Sequence, residues 1–261
     1  MKSTGNTILI TGGGSGIGQA LAHRFHDTGN RVIIAGRRRE ALEKAAEARE
    51  GIAAMTLDVE RAEDIERFAG EVVERFPDLN VLINNAGVMR FENLGSRREL
   101  ADAEATVATN LLGPMRLINA LIDHLEGQAD PVIVNVTSGL AFVPLVATPT
   151  YNATKAAIHS YTVALRAALK GRVEVIELAP PGVQTDLTPG QAQRPGYMPL
   201  HAFIDEVMAL FAAEPTPAEV LVERVKFLRN AEREGRFDQT LEQLNESAAQ
   251  ARAAQPEPLT I

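Results

Sequence analysis

The stretch Thr7-Ile8-Leu9-Ile10-Thr11-Gly12-Gly13-Gly14-Ser15-Gly16-Ile17-Gly18 decides the fold. Its first five residues are apolar or β-branched and read as a buried strand. An apolar pattern with helical spacing resumes at Ile17, so a strand passes through a glycine loop into a helix. In that setting the loop is suited to cradle a diphosphate: Gly12 allows the sharp turn, Gly16 lets the diphosphate approach the backbone, and Gly18 permits close helix packing. The helix N-terminus then faces the negative charge. The alternative is a tight turn that binds nothing.

Outward from this loop, β-branched runs alternate with helical patterns. The spacing predicts strands over 7–11, 31–35, 52–57, 80–84, 132–137 and 173–178, and helices over 17–28, 38–48, 61–76, 98–125 and 151–169. Such alternation implies an α/β fold, a single Rossmann-like doubly wound parallel sheet of six or seven strands with helices on both faces. No linker or repeat interrupts the series, so one domain is expected over 1–261, with its core at about 5–190. Residues 181–217 hold six of the fourteen prolines, which predicts an irregular substrate flap over about 183–215 with a short helix near 200–213. A long amphipathic helix over 218–234 and a polar tail ending Gln255-Pro256-Glu257-Pro258 are expected to follow.

The composition, 45% apolar and 23% charged, is that of a globular protein. A net charge of −8 without any long basic run argues against nucleic acid or an anionic membrane surface as the main partner. The absence of cysteine removes disulfides and thiolate chemistry and fits a cytoplasmic location. His23, His26, His124, His159 and His201 lack metal-ligand spacing, so no metal is expected. Ile8-Leu9-Ile10 is too short for a signal-peptide core or a membrane span.

Two further stretches carry chemistry. After the second strand, where an acidic residue would hold the ribose hydroxyls of NAD, stands Ala35-Gly36-Arg37-Arg38-Arg39. Arg37 can grip a 2′-phosphate with its planar fork, so NADP(H) is favoured over NAD(H). The alternative is an exposed basic start to a helix. In Tyr151-Asn152-Ala153-Thr154-Lys155 the phenol and the ammonium lie four apart on one helical face. A phenol titrating near ~10 needs such help to exchange protons at neutral pH. Pro149 suits a helix start, which puts Tyr151 in the first turn. A solvated surface pair is the bland alternative.

With the loop, Asn84-Asn85-Ala86-Gly87 and Tyr-x-x-x-Lys in order, the chain resembles the short-chain dehydrogenase/reductase family over about residues 5–190. It looks most like the bacterial DltE-like branch. The resemblance implies that Tyr151 is the general acid or base, and that Lys155 binds the nicotinamide ribose and lowers the phenol's pKa. Ser138, thirteen residues before Tyr151, matches the serine that hydrogen-bonds the substrate oxygen, with its neighbour Thr137 the lesser choice. Asn110 matches the asparagine that holds a relay water. Cofactor contacts are implied at Ser15, Ile17, Asp58, Val59, Asn84, Ala86, Gly87, Pro181, Gly182 and Thr185. Asp58 could instead cap the next helix, and Asn110 could be purely structural.

The expected function is therefore an NAD(P)(H)-dependent oxidoreductase acting on a small carbonyl or alcohol. A dinucleotide-binding regulatory or partner protein with little activity is the competing class. Residues 140–146, with Leu187, Tyr197 and Met198, suggest an apolar pocket, or else core or dimer contact. The last sixty residues show neither the family's seventh strand nor its Asp-Gly-Gly-like segment. A homodimer built on helices 98–125 and 151–169 is expected rather than the usual tetramer.

Overall fold

A computed structural model describes residues 1–253. Its centre is a parallel sheet of seven strands in the order β3-β2-β1-β4-β5-β6-β7. The strands are β1 (Thr7–Thr11), β2 (Arg31–Gly36), β3 (Ala53–Thr56), β4 (Leu79–Asn84), β5 (Val132–Val136), β6 (Glu174–Leu178) and β7 (Glu219–Val220). Alternate strand residues point to opposite faces, and each face has its own core. Ile8, Ile10, Val32, Ile34, Val81 and Ile83 pack with Leu21 and Phe25 of α1 (Gly16–Asp27) and with Phe203 and Val207 of α7 (Leu200–Phe211). Leu9, Ile33, Leu82 and Ile133 face Ile65, Phe68 and Val72 of α3 (Ala62–Arg75) and Leu117 and Leu121 of α5 (Gly113–Glu126). Both faces are thus covered, which is why the central strands read as unbroken apolar runs. α2 (Arg39–Glu47) follows β2.

Winding reverses between β1 and β4, which are neighbours in the sheet. Ligands of such sheets bind in the crevice beyond the carboxyl ends of the strands at this reversal.

Four expectations need correction. The helix predicted over 98–125 is two helices, α4 (Ala101–Val107) and α5, joined by a π-helical stretch at Ala108–Leu112. Pro114 has no N–H to give the Asn110 carbonyl at normal helical spacing, so the ladder must shift there. A seventh strand does exist: β7 pairs with β6 through Glu177↔Glu219 and Leu178↔Val220. The helix predicted over 218–234 is therefore absent. After β7 come a tight turn at Glu223–Val225 and the short α8 (Lys226–Arg229). Buried Val220 and Val222 alternate with strand spacing, and the edge of β6 pairs with Glu219 and Val220. Finally, the expected polar tail is mostly helix, α9 (Phe237–Ala253). Its Asn245 amide donates to the Pro144 carbonyl at 3.1 Å and its Oδ1 accepts from Val146 N at 2.7 Å. Gln255-Pro256-Glu257-Pro258 lies outside the described residues.

Candidate active site

The glycine loop and the end of β4 are locked together. Thr11 Oγ1 accepts from the backbone N–H groups of Asn85 and Ala86, both at 3.0 Å, and Asn85 Nδ2 donates to the Thr11 carbonyl at 2.9 Å. Gly12 has φ +68°, and a Cβ there would stand 2.9 Å from Ala86 Cα. At Gly18 a Cβ would meet the Gly12 carbonyl oxygen and Asn85 Nδ2 at 2.4 Å. Both positions are therefore closed to any side chain. Asn85 is a site residue that sequence reasoning missed; its signal is the polar pair Asn84-Asn85 at a strand end.

A cavity of about 360 Å³ runs across the strand ends, at the small end of the range for ligand sites. Sheet order sets its layout: Arg37 and Arg38 after β2, the loop after β1, Ala86, Gly87 and Val88 after β4, then Val136 and Tyr151. Of the predicted positions, Gly12, Ser15, Gly16, Ile17, Arg37, Val59, Ala86, Gly87, Tyr151 and Thr185 line it. Asp58 does not: its Oδ1 accepts from Glu60 N at 3.1 Å, closing a turn. Nor is Asp58 a helix cap, since α3 starts after Arg61. Asn84 faces inward and donates to Asn135 Oδ1 at 2.9 Å. Pro181 and Gly182 stand off the wall, with the Tyr197 ring packed on Gly182. Of the suggested apolar pocket, Leu187 alone lines this cavity. Val143 and Leu145 are core, and Phe142 packs edge-on against His159.

The two arginines differ. Arg37 Nη1 donates to Glu60 Oε1 at 2.9 Å, and the same oxygen accepts from Thr109 Oγ1 at 2.8 Å. Arg38 has no ion pair among the described residues and lines the cavity too.

Tyr151 sits in the first turn of α6 (Pro149–Ala168). That turn is fixed by a residue with no local signature, Glu92. Its carboxylate accepts from Thr150 N at 3.0 Å, Thr150 Oγ1 at 2.9 Å and Arg98 Nη2 at 2.9 Å. Burial opposes the charge, but the bonds from Thr150 and Arg98 outweigh it and hold the Glu92 carboxyl below the usual range. The Ser138 hydroxyl, which accepts from Leu140 N at 3.1 Å, is near enough to the phenol to lower its pKa, whereas the Thr137 hydroxyl is committed to the buried Glu177 at 2.7 Å. Glu177 also holds His159 Nδ1 at 2.8 Å and raises its pKa. Asn110 and Lys155 stand behind Gly87, where a Cβ would lie 3.3 Å from Asn110 Oδ1 and 3.7 Å from Lys155 Nζ. Both ends of the Asn110 amide grip the Val88 backbone at 2.9 Å, and Nδ2 reaches Thr154 Oγ1 at 3.3 Å. Its side chain thus positions the wall and α6.

Burial pushes the Tyr151 phenol up to about 12; the Ser138 bond pulls it down, and the neighbouring Tyr197 phenol adds to the rise. The expected lowering by Lys155 is not what this geometry gives. Lys155 Nζ donates to the Val136 carbonyl at 2.8 Å and lies 5.6 Å from the Tyr151 ring centroid. Burial takes the ammonium itself down from 10.5 to about 8. A depressed lysine pKa means that the folded state carries a desolvated charge below pH 8, a penalty that fades between pH 8 and 10.5. Lys155→Met is therefore expected to raise stability to urea at pH 7 by about 2 kcal/mol after loss of the Val136 bond. The gain should shrink by pH 10; an unchanged or lower urea midpoint at pH 7 would contradict the assignment.

Among the described residues no cluster of three or more His, Cys, Asp or Glu could hold a metal ion. No described helix is long and apolar enough to cross a membrane. A family model described as short chain dehydrogenase matches residues 6–195. The chain is 38% identical over 250 residues to the uncharacterized oxidoreductase DltE of Bacillus subtilis (strain 168), covering 94% of this chain and 98% of that one. An alcohol dehydrogenase from the archaeon Thermococcus sibiricus, solved with 5-hydroxy-NADP, shares the fold with TM-score 0.72 and 28% identity over 82% of this chain and 92% of that one. A 3-ketoacyl-(acyl-carrier-protein) reductase from Brucella melitensis, solved with NADH, matches with TM-score 0.73 and 25% identity over 84% and 96% of the two chains.

Proposed function

The chain belongs to the short-chain dehydrogenase family, and from that premise we propose that it interconverts a carbonyl and a hydroxyl, with Tyr151 as general acid and base and NADP(H) preferred. The observation that carries this reading is a buried phenol in the wall of the strand-end cavity, with the Ser138 hydroxyl near enough to lower its pKa. The cavity fits a nicotinamide dinucleotide: side-chain-free backbone at the loop for the diphosphate, and cations at the β2 end for a 2′-phosphate. Solved relatives carrying 5-hydroxy-NADP or NADH support the cofactor class.

When bound, a nicotinamide exchanges the hydride with the substrate carbon. At neutral pH a phenol titrating at about 12 is protonated, so Tyr151 gives its proton to the oxygen as negative charge develops there. The Ser138 hydroxyl is a second donor to the same oxygen, stabilising that charge more than the neutral carbonyl. In the oxidative direction Tyr151 must first give up its proton, and as phenolate it takes the alcohol proton. Lys155, close to neutral titration and behind Gly87, is placed to return protons to the phenol. Asn110 holds Val88 and Thr154 so that both neighbours keep register.

Arg38 is the cation left free for a 2′-phosphate, while Arg37 must exchange its Glu60 partner. Arg38→Ala is expected to weaken NADPH binding by about tenfold or more, Arg37→Ala by less, and NADH binding by neither. Fluorescence titration of both cofactors tests this; a wild type that binds NADH more tightly overturns the NADP(H) preference.

A further inference from the structure

The carboxylate that the end of β2 lacks arrives from the turn after β3. Glu60 Oε1 accepts from Arg37 Nη1 at 2.9 Å and from Thr109 Oγ1 at 2.8 Å. Arg37 and Thr109 both line the strand-end cavity, so this one oxygen bridges two parts of its wall. The guanidinium that suits a 2′-phosphate is therefore already engaged by an anion.

Glu60 is built to stay where it is. Its N–H donates to Asp58 Oδ1 at 3.1 Å, and its carbonyl accepts from Arg116 Nη1 of α5 at 3.1 Å. α5 packs on the same turn so closely that a Cβ at Gly113 would lie 3.0 Å from the Val59 carbonyl oxygen. Thr109, buried in the π-helical stretch, holds the carboxylate from the other side. Backbone and side chain of Glu60 are thus both anchored, whereas the Arg37 side chain is 51% exposed. Any 2′-phosphate that recruits Arg37 must draw it off a carboxylate that does not follow. The Glu60 side chain is only 27% exposed, so water screens its charge in part. A ribose without the phosphate makes no such demand on the pair.

Resting on the cofactor reading given above, we propose that Glu60 is a specificity-determining residue: by holding Arg37 it weakens capture of the 2′-phosphate and narrows the margin between NADPH and NADH. Its action runs through Arg37, and Thr109 and Arg116 keep it in place.

Glu60→Gln keeps the length of the side chain and an oxygen for Thr109 but removes the charge. Fluorescence titration should show NADPH bound about two- to fivefold more tightly by this variant than by the wild type, with NADH changed by less than about 1.5-fold, the scale of a partly exposed ion pair. A carboxylate that served the fold alone would give the opposite sign, because loosening the turn weakens both cofactors. In an Arg37→Ala background the gain from Glu60→Gln should largely vanish, as expected for two residues in contact. A gain of equal size in that background overturns the action through Arg37. Unchanged or weaker NADPH binding by Glu60→Gln overturns the proposal outright. Adenosine 2′,5′-bisphosphate and AMP provide a readout without nicotinamide: Glu60→Gln should enlarge the Tm shift from the bisphosphate and leave that from AMP as it was. Equal changes in the two shifts count against Glu60. If the wild type binds NADH more tightly than NADPH while Glu60→Gln still gains for NADPH alone, the NADP(H) preference fails and the role of Glu60 stands. Should Glu60→Gln not fold, Glu60→Ala must show the same selective gain.

Discussion

Replacing Tyr151 by Phe is expected to lower carbonyl reduction at pH 7 by roughly a hundred- to ten-thousandfold, the range a positioned proton donor supplies. The change removes one oxygen and keeps the ring in α6. NADPH affinity should stay within about twofold, because a group acting mainly in the transition state lowers kcat rather than binding. Near-normal kcat in the variant would remove Tyr151 from the mechanism. A second readout is independent of turnover. The Tyr151 phenol titrates at about 12, so the absorbance step at that pH should vanish from the variant. Because the folded-state pKa is raised, the stability tied to this group is complete below pH 10 and is lost as the pH climbs to about 12.

Gly18→Ala is expected to be the most damaging single methyl. Its Cβ would lie 2.4 Å from the Gly12 carbonyl oxygen and from Asn85 Nδ2, and neither can yield without breaking the Thr11–Asn85 tie. Overpacking of this kind costs about 1–3 kcal/mol and occasionally more. Since the displaced atoms form the loop, NADPH affinity should fall with it. Gly70 in α3 supplies the contrast: nothing lies within 4 Å of a Cβ there. Gly70→Ala should therefore stabilise by about 0.5–1 kcal/mol through helix propensity alone. Urea midpoints for the two variants check the pair; a Gly18→Ala protein as stable as wild type would contradict the close packing.

Six of the seven strands were legible because their apolar runs are long and lie between two covered faces. β7 was not, since two residues of pairing make no period and its partner is forty residues upstream. The break at Asn110 had a readable signal in Gly113-Pro114, which a count of apolar positions passes over. α9 is polar on most of its surface, so pattern alone cannot tell it from a solvated tail. The candidate site was legible through Tyr151, Lys155 and Ser138, which lie on or next to regular elements. Glu92 and Asn85 were not identified as site residues: each works through partners distant in sequence, which leave no mark on neighbouring residues. The phenol's ionisation could not be read either, because burial decides its sign and the sequence does not state burial.

The Asn245 amide, which spans Pro144 and Val146 from the far end of the chain, divides the molecule's inheritance. The glycine loop and its tie to Asn85 are assembled from segments early in the chain, while the segment before α6 takes its shape from the C-terminal helix. Truncation ahead of α9 should therefore loosen the segment before α6 while the Thr11–Asn85 tie of the glycine loop stays in place.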